Sequence, residues 1–175
     1  MLISKQLREK NIAEYLLYMW QVEDLIRSYG LNHERIVESV ITPVDYDEDF
    51  KGEWSEWYRY LIDMMIKEGV SERGHLGINK CTMTILSDFH LELIESTGED
   101  EYRSLFLQAL PYIGEYQAKS GNTDNEVIED CFELMYGIWI LRLQKRLISE
   151  DTGKAVRKIA ALLAYLSAKY KKVRQ

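Results

Sequence analysis

Proline is almost missing from this chain: only Pro43 and Pro111 interrupt 175 residues, so little in the sequence forbids long helices. Cysteine is equally scarce. Cys81 and Cys131 stand far apart with no CxxC spacing, which excludes a disulfide scaffold and a thiolate zinc site, and both read as reduced core thiols of a cytoplasmic protein. No uninterrupted apolar run reaches the ~20 residues of a membrane span. The first residues, MLISKQLREKN, offer only Leu2 and Ile3 before charges begin, so no secretory signal is expected. Motifs for common chemistries are missing too. The histidines His33, His75 and His90 form no HxxxH or HExxH, and the one ExxH, Glu72–His75, has Gly74 inside it, unlike the paired motifs of a di-iron bundle. There is no GxxxxGK[ST] phosphate loop, and no catalytic triad can be assigned from spacing.

What remains is an ordinary globular composition. Hydrophobic residues make up 46% and charged residues 29%, which argues against disorder and leaves enough apolar material for one core. Net charge is −7, yet the seven basic residues after Gly153 have no acid among them, leaving −14 on residues 1–153. An acidic body repels phosphate, so no specific nucleic-acid partner is expected.

Apolar residues recur with a 3.6-residue period between clusters of Gly, Asn, Asp and Ser, predicting an all-α, single-domain helical bundle of six to seven helices over residues 1–175. The first helix is expected from about Lys5 to Tyr29, ending at Gly30, and a short second one from an Asn32 N-cap to about Ile41. The third opens on a capping box of Asp45 and Glu48 and turns Trp54, Trp57, Leu61 and Met64 inward. The fourth, Leu76 to Ser96, buries Ile78, Ile85, Phe89 and Leu93. A fifth is kinked or split at Pro111. The sixth starts on a Thr123/Glu126 box, and its apolar middle, Leu134–Leu143, belongs at the centre of the bundle. The seventh, about Asp151 to Lys172, has an apolar face of Ile159, Leu163, Leu166 and Tyr170. Beside it runs a small-residue face of Ala160, Ala161, Ala164 and Ala168.

Three groups of polar residues could carry function. Glu23 falls in the middle of the apolar face Ile12, Leu16, Met19, Ile26, and a buried carboxylate needs a partner. Arg27, one turn along, would make a structural i, i+4 pair. Arg142 would instead place Glu23 at a pocket between helices lined by Trp20, Tyr18 and Trp139. In the loop Glu68–Lys80, three glycines precede a helix start, with Arg73, His75, Asn79 and Lys80 near it, a possible site for a small anionic ligand. Asp88 and Glu92 on one helix and Glu129 and Glu133 on another are weak candidates for Mg²⁺, against the simpler reading of solvated faces. No cofactor or metal is expected.

The segments NIAEYLLYMWQVEDLIR at Asn11–Arg27, GHLGINK at Gly74–Lys80 and ALPYI at Ala109–Ile113 resemble an uncharacterised family of small all-helical bacterial proteins, a domain of unknown function. The resemblance implies a single-domain, all-α, cytoplasmic bacterial protein and transfers no catalytic residue. With twelve tyrosines and four tryptophans but no complete catalytic constellation, the expected function is that of a non-enzymatic interaction or scaffold protein, with another protein or a second copy as partner. The alternative is a helical small-ligand protein or Mg²⁺-dependent enzyme acting on a phosphorylated or nucleotide-like compound.

Overall fold

The computed structural model describes residues 2–121 and 125–174. Among these residues the regular structure is helical throughout, with no strand. Among the described residues eight α-helices are formed: α1 Leu2–Lys10, α2 Ile12–Ser28, α3 His33–Ile36, α4 Glu48–Lys67, α5 Gly77–Glu95, α6 Asp100–Ser120, α7 Val127–Leu143 and α8 Glu150–Val173. The chain groups into two compact units, one of residues 1–9 and 14–81, the other of residues 10–13 and 82–175.

The expected opening helix is broken in two at Asn11, whose side-chain oxygen accepts the Ala13 N–H at 3.2 Å and so starts a new helix. This accounts for the eighth helix. α2 ends in a Schellman turn: Gly30 N–H donates to Arg27 O, Leu31 N–H to Ile26 O, and Gly30 takes φ +65°. Asn32 caps α3 as expected, accepting from Arg35 N–H, and α3 passes into a π-helical turn, Val37–Ile41, that ends before Pro43. α4 starts two residues later than predicted. Asp47, not Asp45, accepts the Phe50 N–H at 2.7 Å. Its buried residues are Tyr58, Leu61, Ile62 and Met65, so the inward face is turned from the predicted one and Trp54, Trp57 and Met64 are half-buried.

In the second unit α6 packs on α7 and α8, and α7 on α8. Pro111 lies inside α6 without splitting it. α5 also departs from the predicted face. Ile78 and Ile85 are exposed and Phe89 is half-buried, while Leu93 is buried as expected, together with Met83, Leu86 and His90. His90 shares a hydrogen bond with the Tyr102 hydroxyl at 2.6 Å, and burial lowers its pKa to about 4. The predicted Thr123 cap lies outside the described residues, and Glu126 precedes α7 without a side-chain cap. α7 buries its first half, Ile128, Asp130, Cys131 and Phe132, and Ile138 beyond it; most of Leu134–Leu143 is only partly covered, contrary to its expected central place. Ser149 caps α8. Ile159, Leu163, Leu166 and Tyr170 are buried as predicted, whereas Ala161, Ala164 and Ala168 face outward. Cys131 is buried, and burial pushes its thiol up to about 12. Cys81 is exposed, not the core thiol expected.

Candidate functional site

Glu23 projects from the middle of α2 and is fully buried. Its partner is neither arginine proposed from the sequence. Oε1 accepts the Leu76 N–H at 2.9 Å and the Asn79 Nδ2–H at 2.7 Å, and Oε2 lies 2.6 Å from His75 Nδ1. The carboxylate is thus held by a loop end and the first turn of α5. Three donors on one carboxylate is the arrangement that lets a charge persist away from water.

Arg27 acts on the same loop from the other side. Its guanidinium pairs with Asp24 and donates to Val70 O at 3.1 Å and to Gly74 O. One turn of α2 therefore presents an acceptor to the loop's N–H groups, and the next presents donors to its carbonyls. The i, i+4 residues do not pair with each other because both are engaged with backbone and side chains of residues 70–79. Gly74 sits at φ +84°, a conformation that glycine adopts without strain.

His75 is the chemically open member. Its Nδ1 faces Glu23 Oε2, which leaves Nε2 on the side of the ring away from the carboxylate. The ring stacks on Trp20 at 4.2 Å and 13°, and its side chain is 30% exposed. A buried carboxylate fixing the tautomer and orientation of a part-exposed imidazole is the base-and-orienter half of a catalytic triad. Tyr15 OH reaches Asn79 Oδ1 at 3.5 Å, extending the network to a phenol whose pKa burial raises.

The anion site expected at this helix start has its donors taken. Leu76 N–H and Asn79 are bound by Glu23, and Gly77 N–H is bound by Glu68 Oε2 at 2.6 Å. The chain supplies its own carboxylates where an external anion would sit. Arg73 and Lys80 are exposed. Trp139 stacks on Tyr136 in α7, and Arg142 is exposed in its last turn. Among the described residues no three His, Cys, Asp or Glu side chains gather to hold a metal ion. Asp88 and Glu92 are exposed, and Glu133 accepts a hydrogen bond from Tyr116.

Joining Glu23 to His75 was beyond the sequence reading, which placed the two in different groups. The available signal was a carboxylate in an apolar stripe and a histidine immediately before a helix. The family model described as Domain of unknown function (DUF4924) matches residues 1–175. The chain belongs to that family. No curated protein and no solved structure matches this DUF4924 chain. No helix among the described residues is long and apolar enough to cross a membrane.

Proposed function

We propose that this is a non-enzymatic cytoplasmic interaction or scaffold protein that works through self-association and protein contacts. The observation that carries this reading is the outer face of α6. From Ser104 to Gly114 the helix has no charged residue, although a surface helix ordinarily places charge on its outer side. Ala109 and Ile113 point inward, while Leu107 is 65% and Leu110 43% exposed, with Pro111 and Gly114 exposed beside them. Pro111 has no N–H to give the Leu107 carbonyl, which leaves an acceptor on that face for a partner. Covering a leucine side chain contributes about 1.5–3 kcal/mol, so two leucines and a proline make a useful contact centre.

Two further observations support it. The buried polar groups Glu23 and Asp130 are held by the chain's own donors, the N–H groups of Leu76 and Gly77 at the start of α5 are engaged by Glu23 and Glu68, and no group of three metal-binding side chains gathers among the described residues. An exposed free thiol, Cys81, fits a reducing compartment. Sedimentation velocity over a wide concentration series tests the proposal. Reversible self-association is expected, weakened in Leu107→Glu and Leu110→Glu proteins whose circular dichroism is unchanged. A protein monomeric at every concentration overturns it.

A further inference from the structure

The second unit contains an open groove of about 630 Å³ between the C-terminal half of α6, the middle of α7 and the start of α8. That volume lies within the ~300–1,000 Å³ of small-molecule sites. Leu134, Ile138, Leu141 and Ala155 supply apolar lining, and Tyr112 and Tyr116 add two aromatic rings. Gly137 lines the groove on α7, and a Cβ there would meet nothing within 4 Å. The missing side chain keeps the middle of the groove open.

The lining has a charge imbalance that sits at one place. Glu115 is paired with Lys119 at 2.6 Å and Asp151 with Lys154 at 3.0 Å. Glu133 has no cationic partner among the described residues; Tyr116 OH donates to its Oε2 at 2.9 Å. One turn before it on α7, Asp130 is buried, and among the described residues its carboxylate is held by two amides, Gln117 Nε2 at 2.5 Å and Asn125 Nδ2 at 3.3 Å. Burial and then Glu133 raise the Asp130 pKa, against the Gln117 and Asn125 hydrogen bonds. Burial, followed by the Glu133 hydrogen bond and charge, pushes the Tyr116 phenol up to about 12. Burial is the larger cause of both shifts, and the Glu133 charge acts in the same direction on each. The positive end of α8 does not recommend an anion instead, because Ser149 Oγ takes the Thr152 N–H and Glu150 and Asp151 occupy the first turn.

We propose that this groove binds a small organic cation, an ammonium carried on an apolar alkyl or aryl body. The ammonium would rest against Glu133 and the faces of Tyr112 and Tyr116, where carboxylate and aromatic rings both favour a cation, with the body along Leu134, Ile138 and Leu141. The proposal stands independently of self-association, since it uses a different part of the second unit from Leu107 and Leu110.

Calorimetric titration of the full chain with hexyltrimethylammonium, hexylamine, hexanol, hexanoate and tetramethylammonium at constant ionic strength separates charge from body. Saturable binding of the two hexyl cations is expected, with hexanol and hexanoate silent and tetramethylammonium much weaker. Glu133→Gln should weaken the hexyl cations at least about tenfold, the scale of one charge-assisted contact, at an unchanged melting temperature. Gly137→Leu should abolish binding by filling the groove while helix content is kept. Equal binding of hexanol, no saturable binding of either hexyl cation, or binding indifferent to both substitutions overturns the proposal.

Discussion

At the scale of single residues, two buried titratable side chains have different relations to the chain. Glu23 is satisfied three times over, by His75, Leu76 and Asn79. Glu23→Gln keeps an acceptor for Leu76 and Asn79, but its amide N–H₂ must face His75 Nδ1, which forces the other tautomer. A loss of about 2–4 kcal/mol is expected, and Glu23→Ala should lose more because it strands the donors. Urea denaturation of the three proteins checks both the size and the order; equal stability of all three would mean the network contributes nothing. His90 is the opposite case, a histidine kept neutral by burial with its pKa lowered to about 4. The unfolded chain takes up this proton near pH 6.5 and the folded one only near 4, so folding stability is whole above pH 6.5 and falls as pH drops toward 4. Across that window the loss is of order 3 kcal/mol. Stability curves of the native protein and His90→Gln should differ in slope between pH 4 and 6.5 and run parallel above it; parallel curves throughout would remove the assignment. The sequence made Glu23 legible as a buried polar group because charge stands out in an apolar stripe. His75 was not legible as its partner, since a contact across 52 residues leaves no trace in local spacing.

At the scale of elements, helix existence was readable and helix ends and faces less so. Asp45, Asp47 and Glu48 all lie within one turn, and a capping box predicts Asp45, whereas the φ −63°, ψ 157° of Asp47 makes it the cap. Asp47→Ala should therefore cost about 1 kcal/mol and Asp45→Ala almost nothing, a difference that thermal unfolding resolves. The end of α7 shows a further deviation. Lys145 N–H donates to Arg142 O and Arg146 N–H to Leu141 O, a Schellman turn with Lys145 at φ +54° where glycine is usual. A side chain in that conformation is strained by roughly 1–2 kcal/mol. Lys145→Gly should raise the melting temperature, and a fall would show that the lysine side chain has a role the backbone does not reveal. The break at Asn11 was missed because the apolar period continues across it. The Asn11–Ala13 hydrogen bond marks the new start.

At the scale of the whole molecule, charge is distributed so that attraction for polyanions is largely cancelled. The body carries the acids and α8 the cations, yet α8 spends part of its charge on the chain itself. Lys169 pairs with Glu99 at 2.6 Å, Lys154 with Glu150 and Asp151, and Lys158 donates to Gln108. Arg157, Lys171, Lys172 and the following Arg174 remain, with Arg174 over the Tyr170 ring. Four cations on one helix can release at most about four counterions, so any complex with duplex DNA should lose affinity with a logarithmic salt slope no steeper than about −3.6. Repulsion from the acidic body acts in the same direction. Fluorescence anisotropy with a labelled duplex should accordingly show a complex only at low salt and none at physiological ionic strength. Replacing Lys171 and Lys172 with glutamate should remove even the low-salt complex. A complex that survives physiological salt, or one indifferent to that double substitution, would require a basic surface other than α8 and would bring nucleic acid back as a partner.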